Sequence, residues 1–300
     1  MATGAFSAVD LSGLPFPAAV ESLDFETILA AIIADLQARS PQFTALLESD
    51  PGYKLAEAFA YRELLVRQHN NESIKAVMLA YAAGSDLDQI AARYDVERLL
   101  IQAADDTTIP PTPAVYEDDD SLRRRVQLAF EGFSTAGPVG AYIFHALSAH
   151  PKVMDAAAES PTPGAVEVAV LSRDGDGTAS DEIISAVSAS LNGDDTRPMT
   201  DQVTVQSAVI TNYTVQATIN TYSGPDSDVV MAAAQAAIEA FTQDNHRMGR
   251  DITLSGIYAA LQQTGVQEVI LDQPAAKIVC DWNQAAYCTG ITLTYGGNGD

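Results

Sequence analysis

The hydrophobic period changes once along this 300-residue chain, and that change dictates a mixed fold. Up to about residue 150 apolar side chains recur with the helical period of 3.6; from Val153 the dominant period is two. Phe25, Ile28, Leu29, Ile32, Ile33 and Leu36 form a clean helical stripe, with Asp24 or Ser22 as its cap and Ser40-Pro41 as its end. A second helix is predicted over 54–81, with Leu55, Phe59, Leu65, Val66, Val77 and Met78 on two apolar flanks. A helix that long packs against a partner chain or folds back as a hairpin within its own. A short third helix, capped by Ser85-Asp86, runs to Tyr94.

Residues 103–120 read as a linker, which Pro110, Pro111 and Pro113 stiffen towards an extended path. A helix follows with Leu122, Val126, Ala129, Phe130 and Phe133 on one face; after Gly137-Pro138 comes another, over 139–149. Beyond it, 165–171 is a strand, 181–191 a helix and 203–205 a second strand, a small β-α-β unit. Alternation over 213–222 predicts a half-exposed strand. An alanine-rich helix to about Asn245, a shorter one over 253–263, and strands at 266–271, 278–280 and 291–293 complete the chain. The fold class is therefore α+β: a helical N-terminal part with long helices, then two small α/β modules. The boundaries expected are 1–102 for the helical part, 103–150 for the Pro-rich linker plus two helices, 151–207 for the first module and 208–300 for the second.

Forty acidic residues face 16 basic ones, leaving −24 at pH 7. Both halves are acidic, so the excess is not a tail; it repels phosphate backbones and anionic lipid surfaces, which argues against nucleic-acid or membrane partners. The absence of an eighteen-residue apolar run or a signal-like start predicts a chain that folds in the cytoplasm. Cys280 and Cys288 are too few for a disulfide framework and are expected as thiols.

No phosphate-binding glycine loop, nucleophile elbow or HExxH zinc motif occurs. His69, His145, His150 and His246 are scattered. Asp174-Gly-Asp176-Gly-Thr178 resembles the start of a calcium loop, but the position for the bidentate acid is Ser185, so a turn explains it. Arg123-Arg124-Arg125 lies between Asp118–Asp120 and Glu131, where local i, i+3 and i, i+4 ion pairs are the expected use. No catalytic residue, cofactor or metal ligand is assigned. Aromatics are 7% of residues, which argues against a sugar-binding module.

Several segments, in order, resemble one family. SLDFETILA and AYRELLVRQHNNESIKAVMLAYAAGSDLDQIAARY look like the N-terminal half of the baseplate J-like proteins of contractile phage tails. IPPTPAVYEDDDSLRRRVQLAFEGFSTAGPVGAYIFHA and TPGAVEVAVLSRDGDG match its middle, and DNHRMGRDITLSGIYAALQQTGVQEVIL its C-terminal stretch. The resemblance implies a non-enzymatic wedge component of a tail baseplate, assembled in the host cytoplasm. Two copies join a second wedge protein through N-terminal helices, and neighbouring copies close a ring around the hub. A sheath initiator with a lysozyme-like fold docks on the bundle, and the assembly relays the trigger for sheath contraction. On that expectation Phe25, Ile28, Leu29, Ile32, Ile33, Leu36, Phe59, Leu65 and Val66 face partner helices. A tail-associated receptor-binding module or hydrolase is the alternative. Flexing between the N- and C-terminal parts is expected at 103–120 and at Gly137-Pro138.

Overall fold

A computed structural model describes residues 11, 14–15, 17–40, 43, 46–134, 138–193, 196–224 and 226–299, so Pro41 and Gly137 lie outside the described residues. The chain is α+β and divides into two compact units, Val9–Glu97 and one that includes Arg98–Asp300.

The first unit is helical. Helix α1 (Phe25–Arg39) begins where the Asp24 carboxylate accepts the Thr27 N–H, 2.8 Å, and ends at Ser40 as expected. Helix α2 (Pro51–Ala76) stops short of the expected Tyr81; residues 77–81 are turns. Ile28 and Leu29 pack on Ala56 and Ala60, with Phe25, Ile32, Ile33, Tyr53 and Leu64 around them. The two alanines let the helix axes approach, and burying Ile28 and Leu29 contributes about 1.5–3 kcal/mol each. Helix α3 (Gly84–Ala92) buries Leu87, Ile90 and Ala91 and has Ala83, with no side-chain bond, at its N-cap in place of the expected Ser85-Asp86.

In the second unit, β1 (Leu100–Gln102) and β2 (Val115–Tyr116) pair antiparallel, and Asp105 bridges Thr112 between them. The proline-rich segment therefore doubles back instead of running extended, because Thr107, Thr108 and Thr112 hydroxyls bond within the loop and close it. Helix α4 (Asp119–Gly132) buries Leu122, Arg125, Val126, Leu128 and Ala129. Its face is turned relative to the expected one: Leu128 enters the core, while Phe130 and Phe133 are 68% and 66% exposed.

Helix α5 (Val139–Ala149) leads into β3 (Val153–Thr162), which the sequence pattern hid. Ala156 faces one core and Ala157 the opposite one, so no period of two shows. Strands β3 and β4 (Ala165–Ser172) are antiparallel, and β4, helix α6 (Asp181–Leu191) and β5 (Gln202–Ser207) make the expected parallel β-α-β unit. Val166, Val168 and Val170 point into a core closed by Tyr142, Ile143 and Leu147 of α5 and Ile183, Val187 and Leu191 of α6.

Strand β6 (Val209–Tyr222) starts one residue after β5 ends. Ala208 N–H still bonds to Val170 of the first sheet, 2.8 Å, while Val209 N–H bonds to Asn283, 2.9 Å. Helices α7 (Ser227–Asp244) and α8 (Leu254–Leu261) cover one face of the sheet β7-β6-β8, formed with β7 (Val266–Gln273) and β8 (Gln284–Gly299). The strand expected at 278–280 is a single bridge between Ile278 and Ile252. The Cys280 N–H there goes to the Asp251 carboxylate, 2.9 Å, and not to a neighbouring strand.

Candidate functional site

Two features stand out among the described residues: an apolar flank of α2 without an intrachain cover, and a charged seam between the two sheets of the second unit.

Helix α2 carries Ala56, Ala60 and Leu64 towards α1. About one residue away around the helix, Leu55, Phe59 and Val66 follow at i, i+4 and i+11 and are exposed, Phe59 at 63% and Val66 at 58%. Leu65 and Tyr61 are exposed too, but further round the helix. Of the nine residues expected to face partner helices, Ile28 and Leu29 are buried within the chain; Phe25, Ile32, Ile33 and Leu36 are half-buried; Phe59 and Val66 lie on the open flank, and Leu65 is exposed further round the helix.

The seam starts from α4. Arg123 makes the expected local pair with Asp120. Its two neighbours do not. Arg125 reaches Glu117, 3.0 Å, and Arg124 reaches Asp155 on β3, 2.7 Å. Glu117 is 2% exposed and also accepts the Leu99 N–H, 2.9 Å. Burial pushes its carboxyl up, opposed by that N–H and by the Arg125 charge, and burial pulls Arg125 down. Arg98 binds the Glu117 carbonyl and the Asp119 carboxylate, fixing the entry to α4.

Asp155, 3% exposed, joins three elements. Its Oδ1 accepts from Arg124 and from the Ala156 N–H, and its Oδ2 accepts the Met248 N–H, 3.0 Å, from the loop after α7. Beside it the Arg247 guanidinium donates to the Met154 carbonyl. Small apolar side chains fill the space between the sheets: Ala157, Ala169, Ala208 and Ala285, with Leu171, Met248 and Trp282.

Asp118 caps α4, accepting from the Ser121 N–H and hydroxyl at 2.8 Å each and from Arg173 at 3.1 Å. Burial alone raises its carboxyl, but the Ser121 bonds and the Arg173 charge prevail and hold it below its ordinary value. Asp118→Ala is expected to cost about 1 kcal/mol at neutral pH. A depressed native pKa contributes stability above the unfolded value and loses it as pH falls through the native one. Urea midpoints of the two proteins should therefore converge in acid; a gap constant with pH would refute the assignment.

The Asp174–Thr178 segment is the expected turn. Gly175 and Gly177 have φ of 63° and 97°, Asp174 pairs with Lys152, and Asp176 accepts the Thr178 N–H. Gly177 also lies against the C-terminal module: a Cβ there would come within 2.8 Å of His246 Nε2. His246 Nδ1 lies 2.7 Å from the Ala286 carbonyl, which requires the proton on Nδ1. Asp251 holds the Cys280 N–H and Lys277, while Thr253 caps α8. Cys280 and Cys288 are thiols, raised by burial. Among the described residues no three His, Cys, Asp or Glu side chains gather as metal ligands, and no helix is long and apolar enough to cross a membrane.

A hairpin with an open apolar flank, joined in one chain to two sheets linked by hydrogen bonds at a charged seam, defines a class of chain built from contact surfaces. The chain belongs to the baseplate J-like family. Its N-terminal domain matches residues 48–105, its central domain 134–207 and its C-terminal domain 213–294. Baseplate protein J of Escherichia phage P2 is 50% identical over 297 residues, spanning 97% of this chain and 98% of that protein. Among solved structures, a chain in the baseplate of the anti-feeding prophage aligns with a TM-score of 0.41 at 15% identity, over 61% of this chain and 44% of that one.

Proposed function

We propose that this chain is a structural, non-enzymatic component of a contractile phage-tail baseplate, placed in the virion as a wedge protein. Two copies join one copy of a second wedge protein, and neighbouring copies meet through their C-terminal sheets to close a ring around the hub. A lysozyme-like-fold sheath initiator docks on the helices, and the ring relays the trigger for sheath contraction. The observation that carries this reading is the 50% identity to a baseplate protein J across nearly the whole of both chains.

The open flank of α2 supports the helical contact. Phe59 and Val66 offer the partner helix an apolar strip with Leu65 exposed further round, while Ile28 and Leu29 hold the hairpin, with Phe25, Ile32 and Ile33 packed around them and Leu36 half-buried on α1. Apolar strips of this kind, bordered by charge, mark protein contacts. Here Arg67 pairs with Glu63 and Glu21 beside the strip.

Co-expression with the proteins encoded beside it, followed by mass determination of what co-purifies, tests the reading. The expected product holds two copies of this chain and one of a helical partner. A monodisperse monomer that ignores every neighbour would overturn the wedge assignment.

A further inference from the structure

Five of the chain's 16 basic residues, Arg98, Arg124, Arg125, Arg173 and Arg247, gather at the seam. Within it lies a cavity of about 20 Å³, lined by Arg124, Arg125, Arg173 and Arg247 with Glu117 and Asp120. That volume holds one particle of roughly the size of a water molecule.

The charges facing the cavity do not balance. Arg124 has Asp155, Arg125 has Glu117 and Arg173 has Asp118, while Asp120 is taken by Arg123. Arg247 has no carboxylate at ion-pair distance among the described residues; its guanidinium meets a neutral acceptor, the Met154 carbonyl, at 3.3 Å. Burial, together with the charges of Arg124 and Arg173, pulls Arg247 below its ordinary value against Asp155 and Asp118. One positive charge in the wall is thus left over where water is scarce, and a partly desolvated cation favours a counter-charge.

We propose that the cavity is a binding site for a single halide-sized anion, of which chloride is the ordinary occupant. Bound there, it neutralises Arg247 and adds a bridge between the loop after α7, the arginines of α4 and Arg173 just after β4.

The test uses the full chain. Its thermal midpoint is measured at constant ionic strength as sodium gluconate is replaced by sodium chloride or sodium bromide. Chloride and bromide are expected to raise the midpoint by about 3 °C. The rise should vanish in Arg247→Gln, which keeps a donor for Met154. It should persist in Arg250→Gln, a change at an exposed arginine bonded to the Asp244 carbonyl. Equal midpoints in gluconate and chloride, or an undiminished rise in Arg247→Gln, would overturn the proposal. Should Arg247→Gln not fold, crystals of the unaltered chain grown in bromide decide the matter: anomalous density in the cavity supports the site, and an empty or water-filled cavity refutes it.

Discussion

Replacing Asp155 with alanine is expected to lower the unfolding free energy by about 3–5 kcal/mol. Two terms add. Arg124 loses its partner at the seam, and the N–H groups of Ala156 and Met248, both in buried residues, lose their acceptor. Asp155→Asn is expected to cost less, because its carbonyl still accepts one of those bonds. Trp282, the single tryptophan, packs against the same seam and reports on it by fluorescence during urea unfolding. A loss under about 1 kcal/mol would mean that water replaces the carboxylate and that the apolar contacts alone hold the sheets together.

The second large effect is on association. If Phe59 and Val66 anchor a partner helix, aspartate at either position should weaken the complex by about 2 kcal/mol or more, roughly thirty-fold, and the double change should abolish co-purification. Because both side chains are already in solvent, stability of the isolated chain should move by no more than about 0.5 kcal/mol. Leu29→Asp is the contrasting case: it puts an unpaired charge into the α1–α2 contact and should unfold the hairpin outright. Intact co-purification of the double variant would place the partner contact elsewhere on the chain.

The sequence showed most of the helices because each has one buried stripe, and Phe25 to Leu36 is the plainest case. It showed β6 for the matching reason, alternate burial over a long run. It concealed β3, whose alanines face two cores at once, and it overstated 278–280, where a carboxylate takes the bond a strand would have used. The open flank of α2 was legible as a second apolar face, though not which flank the hairpin would use. The seam was harder. Three successive arginines beside three aspartates invite local pairing, and one of the three pairs that way. A signal was present nonetheless: Arg125 falls three residues after Leu122 and four before Ala129, within the buried stripe of α4, and a cation in that position calls for a buried carboxylate. The partner of Arg124, 31 positions away on a strand the pattern did not show, had no local signature.

Between β5 and β6 the chain has no slack. A single buried alanine separates a strand hydrogen-bonded into one sheet from a strand hydrogen-bonded into the next. A torque on the sheet β7-β6-β8 therefore has no linker to twist and passes within one peptide unit to the sheet β3-β4-β5. Mechanically the two sheets form one stiff lever, and any rotation between them must strain that single peptide link.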